Sequence, residues 1–133
     1  MLRALVEIVG KENVIFGEQE LLVYECDAYT LEKNLPNVVV LPRTTEEVSR
    51  IAVLCAQEKV PIIPRGAGTS LSGSVLAVTG GVMIGLSRMN KILEIDYRNL
   101  RALVEAGCVN AWVTNAVKAH GLLYAPDPSS QPA

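Results

Sequence analysis

A chain of 133 residues is long enough for one modest domain with a real core, and half of its residues are hydrophobic while a fifth are charged. So apolar a composition predicts that part of the surface is meant to be covered. A net charge of −2 without a basic run argues against nucleic-acid binding, and no apolar stretch is long enough for a membrane span. The first ten residues are too short and, with Glu7, too charged for a signal peptide, so the cytoplasm is the expected compartment. Cys26, Cys55 and Cys108 are odd in number and far apart, and no Cys-x-x-Cys occurs. That pattern indicates neither a zinc site nor a disulfide framework, and the single histidine, His120, cannot build a His-based metal cluster.

Leu2, Leu5, Val6 and Val9 recur at helical spacing and Gly10 is a natural stop, so a short amphipathic helix is predicted there. The stretch from Val14 to Lys33 reads as irregular, with one short helical turn. Val38-Val39-Val40-Leu41 is apolar on both faces, which suits a buried parallel strand. Thr44-Thr45-Glu46-Glu47 matches a capping box, and Val48, Ile51, Ala52 and Cys55 line one face of the helix that follows. Strand 38–41, helix 44–58 and strand 60–63 form a βαβ unit, which predicts a parallel pair. Residues 81–86 read as another strand, and 91–96 with 101–106 as a hairpin around Tyr97-Arg98-Asn99-Leu100. Asn110 is placed as the cap of a last helix whose Trp112, Val113, Ala116 and Val117 share a face and whose stop is Gly121. The chain closes on a proline-punctuated segment, Tyr124 to Ala133, which reads either as a frayed tail or as the passage into further structure.

Strand 60–63 empties into Pro64-Arg65-Gly66-Ala67-Gly68-Thr69-Ser70-Leu71-Ser72-Gly73-Ser74. Side chains this small leave the main chain bare, and successive N–H groups can then line a concavity for an anion. The loop sits at the C-terminal end of a parallel strand, where open α/β sheets place ligands. It is not a Walker loop, because no Lys lies between Lys59 and Lys91. Nor is it a Rossmann fingerprint, since Leu71 stands at the third glycine position and the chain returns to strands. From residue types alone the loop is either a phosphate cradle or a plain Gly/Ser/Thr turn.

Several segments together resemble the FAD-binding domain of the vanillyl-alcohol oxidase/p-cresol methylhydroxylase (PCMH) flavoproteins. Within that group they look most like the flavin subunit of glycolate oxidase and the D-lactate (D-2-hydroxyacid) dehydrogenases. The matching residues are Tyr24-Glu25-Cys26-Asp27, Val39-Val40-Leu41-Pro42, Pro64 to Thr69 with Leu71-Ser72-Gly73, Ile92 to Asp96, and Tyr124 to Gln131. The resemblance implies an α+β, PCMH-type FAD-binding fold. A small βαβ parallel subdomain would be followed by strands and a hairpin of a second mixed sheet, in an incomplete domain. Residues 1–133 would then be the front of one domain, with 1–35 a helix and irregular lead-in and 36–133 the FAD-binding core.

The resemblance further implies that the FAD diphosphate rests on the amides of Arg65, Gly66, Ala67, Gly68, Thr69 and Ser70, with Ser72 and Gly73 assisting. Pro126, Asp127, Ser129 and Ser130 would pass close to the flavin or its ribityl–diphosphate chain. Arg65 either adds charge beside the diphosphate or makes a surface ion pair, and Asp127 suits a turn as well as a ligand contact. Ser70 and Ser74 stand where the family often has glycine, so the loop shape is expected to differ locally. No histidine lies near the loop, so FAD is expected to be held non-covalently, and His120 reads as a partly exposed residue at a helix C-terminus. The implied function is the FAD-binding part of a flavin-dependent oxidoreductase acting on glycolate or D-lactate. It would be inactive alone, since no catalytic acid or base can be assigned here. A 2-hydroxyacid substrate would bind only in a complete enzyme, and a homo-oligomer or companion subunit is the expected protein partner. The alternative is a non-catalytic nucleotide-binding module, or a truncated piece that needs a partner chain.

Overall fold

The computed structural model describes residues 1–126, which fall into two compact units, Met1–Arg88 and the residues from Met89 onward. The first unit opens with α1 (Leu2–Val9), formed where the spacing predicts it, with Leu5 and Val9 buried and Gly10 at φ 86° ending it. Val14–Ile15 (β1) is a two-residue strand that the sequence pattern did not disclose. One helical turn, α2 (Glu18–Leu21), follows as expected.

All three residues of β2 (Val38–Val40) are buried, because the sheet is covered on both sides. Val38 and Val40 pack with Leu5, Val9, Ile51 and Cys55 on one face. Val39 points the other way, toward Leu21, Ile63 and Met83. The helix α3 (Thr45–Glu58) starts on its capping residues: the Thr44 hydroxyl accepts the Glu47 N–H at 3.2 Å. The Glu47 carboxylate accepts from the Arg43 N–H at 2.7 Å, one residue earlier than a reciprocal box would have it.

Two strand expectations need correction. Lys59 adopts the left-handed conformation and Val60 donates its N–H to the Cys55 carbonyl at 2.9 Å, so Val60 closes the helix. The next strand, β3 (Ile62–Arg65), therefore starts two residues later than the apolar run proposes. Secondly, β2 and β3 are parallel but are not hydrogen-bonded neighbours. The strand β4 (Val82–Gly85) runs parallel between them and bonds to both, giving the order β1-β2-β4-β3. Every residue of β4 is buried, which is what a central strand requires.

In the second unit β5 (Ile92–Asp96) and β6 (Arg101–Val104) form the predicted hairpin as a separate antiparallel sheet, with a bulge between Ile92 and Glu94. The residues of β6 are exposed along its whole length. α4 (Asn110–Val117) continues through one 3-10 turn to Gly121, whose φ of 69° makes the stop. Its buried face is narrower than expected, since Val113 and Val117 are covered but Trp112 and Ala116 are not. Val109 holds the capping position, without a side-chain bond, and Asn110 instead donates from Nδ2 to the Pro126 carbonyl at 3.2 Å.

Candidate functional site

The loop of interest begins where β3 ends. Leu86 donates its N–H to the Arg65 carbonyl at 3.0 Å, and Arg65 stands opposite Gly85 in the parallel register. That alternation commits the Arg65 N–H to the ladder. Beyond it, the backbone N–H groups from Gly66 to Leu71 donate no hydrogen bond among the described residues, and internal bonding resumes with Ser72 N–H to Ser70 Oγ at 3.2 Å. A run of uncommitted donors on an exposed loop is what an anion cradle requires.

Steric space agrees. No atom lies within 4 Å of where a Cβ on Gly66 would stand, so a ligand can approach the main chain there. The left-handed positions of the loop fall on Gly68 (φ 73°) and Gly73 (φ 69°), while Ser70 and Ser74 keep ordinary backbone angles. The hydroxyls of Ser70 and Ser72 lie 2.9 Å apart; one hydrogen is shared between them and the other remains available to an acceptor. The far end of the loop is anchored by Val75 and Ala77, buried against Val39, Ile63 and Met83.

The Arg65 side chain makes no ion pair among the described residues. Its Nη1 donates to the Cys26 carbonyl at 2.8 Å, and its guanidinium carbon sits 5.6 Å from the centre of the Tyr24 ring. Tyr24 and Cys26 carry part of the family resemblance, but nothing in the sequence pairs them with Arg65. Neither Cys55 nor Cys108 has its thiolate favoured: burial pushes both thiols up, aided at Cys108 by the Glu105 carboxylate.

Pro126 lies in the second unit, bonded to Asn110 as described; Asp127, Ser129 and Ser130 lie outside the described residues. Within that unit the hairpin, α4 and residues 122–124 enclose a hollow of about 140 Å³, lined mainly by apolar side chains such as Ile95, Val113 and Tyr124. His120 is exposed, more fully than expected, and stacks on Tyr97, with ring centres 4.1 Å apart.

A family model described as an FAD binding domain matches residues 36–133, a span that contains the whole loop. The chain belongs to this family. FAD is its cofactor, and the bare amides after β3 fit a group that carries a diphosphate. The chain is 42% identical, over 95% of its own length, to the glycolate oxidase subunit GlcD of Bacillus subtilis (strain 168). It is 37% identical, over 93% of its length, to a D-lactate dehydrogenase of Anaerostipes hadrus. Those proteins are much longer: the chain spans 27% of the first and 25% of the second, about a quarter of each. Among solved structures, p-cresol methylhydroxylase with substrate bound superposes with a TM-score of 0.86 at 24% identity. The match covers 99% of this chain and 27% of that one, and establishes the PCMH-type fold. Among the described residues no helix is long and apolar enough to cross a membrane.

Proposed function

We propose that this chain is the FAD-holding part of a flavin-dependent 2-hydroxyacid oxidoreductase, with glycolate or D-lactate as the substrate class. The observation that carries the proposal is the run of uncommitted amides from Gly66 to Leu71 in a chain of the FAD-binding family. In this reading the N–H groups of Gly66, Ala67, Gly68, Thr69 and Ser70 clasp the diphosphate. Ser72 adds a hydroxyl, Gly73 lets the chain turn away, and Arg65 contributes positive charge from the strand end. Pro126, Asp127, Ser129 and Ser130 run beside the flavin or its ribityl chain. Each hydrogen bond to a charged acceptor contributes roughly 1.5–3 kcal/mol, so three or four suffice for firm non-covalent retention.

FAD, when bound, supplies the two-electron acceptor for oxidising an alcohol carbon to a ketone or aldehyde. The residues of this chain bind and orient it; none is assigned the substrate proton or carboxylate. Binding without turnover is therefore expected. The relative from B. subtilis is named a subunit, and several apolar side chains of the second unit, among them Leu100, Leu103 and Leu123, are exposed. Both facts favour a companion chain or a second copy as partner; the compartment proposed is the cytoplasm, or a membrane surface as part of a complex.

Titration of the purified chain with FAD tests the reading. Quenched flavin fluorescence, FAD released intact on acid precipitation, and no oxidation of glycolate or D-lactate with an artificial acceptor are expected. Failure to bind FAD at any loading, with the protein folded, would sink it and leave the non-catalytic module or truncated piece. Native mass measured in the same samples separates a homo-oligomer from a chain that awaits a companion.

A further inference from the structure

We propose that residues 24–29, which precede the segment matched by the family, belong to the cofactor site as a brace under the phosphate loop. Arg65 would then be a positioning residue rather than a ligand of the diphosphate. The inference rests on the FAD reading above, but its geometry is independent of it. Ala28 donates its N–H to the Gly68 carbonyl at 3.1 Å, in the middle of the loop. Cys26 accepts from Arg65 Nη1 at 2.8 Å, and the Tyr24 ring lies beside the guanidinium. The other guanidinium nitrogen, Nη2, occupies the space where a side chain on Gly68 would stand, so the Arg65 head lies against the loop backbone. Tyr29 comes within 3.5 Å of the corresponding point on Gly73.

The segment is itself held in shape. Asp27 is 5% exposed, and its Oδ1 accepts the Tyr29 N–H at 2.9 Å, forming a tight turn. Asn34 donates its N–H to the Glu25 carbonyl at 2.8 Å, and Lys33 bonds the Glu25 carboxylate, which closes the segment behind the turn.

A loop with no helix or strand of its own gains affinity only if its donors are already in place. β3 and the buried Val75 fix the two ends of this loop; Ala28, Arg65 and Tyr29 meet it between them. The Arg65 guanidinium is engaged at one N–H and one face, and both contacts must be given up before it can turn to an incoming phosphate. Lysine keeps the charge but has neither a planar face nor a fork of donors.

The test uses the 133-residue chain and two readouts: the Kd for FAD, and ¹⁵N relaxation of residues 66–71 without FAD. Arg65→Lys and Tyr24→Leu are each expected to weaken FAD by about ten-fold and to loosen the loop amides, while Tyr24→Phe matches the parent. The expected loss changes little between low and high salt. Parent-like affinity and parent-like order in Arg65→Lys overturn the brace. So does an affinity loss that shrinks as salt rises while the loop stays rigid, which would make Arg65 a direct ligand. If Tyr24→Leu fails to fold, Arg65→Lys carries both readouts. If the parent chain binds no FAD, the functional reading fails while the relaxation data still decide the brace.

Discussion

Asn37 and Gly81 hold each other twice: the Asn37 N–H donates to the Gly81 carbonyl at 3.0 Å, and the Asn37 side-chain oxygen accepts the Gly81 N–H at 2.6 Å. The pair lies just before Val38 and Val82, which stand opposite each other in the sheet. It therefore sets the register of the central strands that aim the phosphate loop. Gly81 has a φ of 117°, and a Cβ there would come within 2.5 Å of the Pro61 carbonyl oxygen. Gly81→Ala is expected to cost about 2 kcal/mol or more, from backbone strain and displacement of the strand entry. Asn37→Ala, which removes one hydrogen bond, is expected to cost about 1 kcal/mol. Urea unfolding of both variants checks the order, and a Gly81→Ala midpoint equal to the parent's would refute it.

Gly66 and Gly68 separate ligand space from fold. Around Gly66 the space is open and φ is not left-handed, so a side chain there is compatible with the fold. Gly66→Val is expected to leave stability within about 0.5 kcal/mol and to weaken FAD at least ten-fold by filling the approach to the amides. Gly68→Ala, with φ 73° and the Arg65 head in the way, is expected to lose stability and affinity together. If Gly66→Val binds FAD like the parent, the diphosphate does not sit where the bare amides are.

How much of this was legible in the sequence depends on the range of the interaction. Thr44 is read correctly as the cap because a helix start is decided within four residues, although Glu47 reaches back to the Arg43 N–H instead of that of Thr44. Val38 to Val40 disclose a doubly covered strand because all three are apolar. The sequence cannot show that β4 slides between β2 and β3, since pairing order is a contest among distant segments. Nor could Val14–Ile15 be seen, because two residues carry no periodicity. The loop itself was legible through its small residues. The segment under it was only half legible: Tyr24 to Asp27 had a familiar look but no role. Their work is done by a carbonyl, a turn and a ring acting on Arg65 and Gly68, and main-chain partners leave no mark in side-chain pattern.

Cys55, on the buried face of α3, is fully covered by the core, and burial pushes its thiol up. In the native chain it is expected to resist thiol reagents until global unfolding, while the half-buried Cys26 and Cys108 label first. The raised value means that the folded state disfavours the thiolate. Stability from this group is full below the ordinary thiol pKa of about 8.5 and is lost as pH rises through the folded value. Cys55→Ser, which buries a hydroxyl, is expected to cost about 1–3 kcal/mol. Labelling of Cys55 at the same rate as Cys108 in folded protein would contradict this placement.

Asp96 gives the opposite pH dependence at the tip of the hairpin. The Asn99 side-chain amide donates to its Oδ2 at 2.6 Å, the Asn99 backbone N–H to its Oδ1 at 3.0 Å, and Arg101 Nη2 to Oδ2 at 3.3 Å. Asn99 first, and Arg101 after it, hold the carboxyl below the usual aspartate range. A depressed folded value contributes stability that is present above the unfolded pKa of about 3.9 and disappears as pH falls through the folded value. The hairpin turn is therefore expected to loosen only in strong acid, with Tyr97 and Asn99 amide shifts following the same titration. Asn99→Ala removes the first donor, so the Asp96 midpoint should move up toward the ordinary value. Side-chain NMR titration measures both, and an unchanged Asp96 midpoint in Asn99→Ala would show that Asn99 is not what holds the carboxylate ionised.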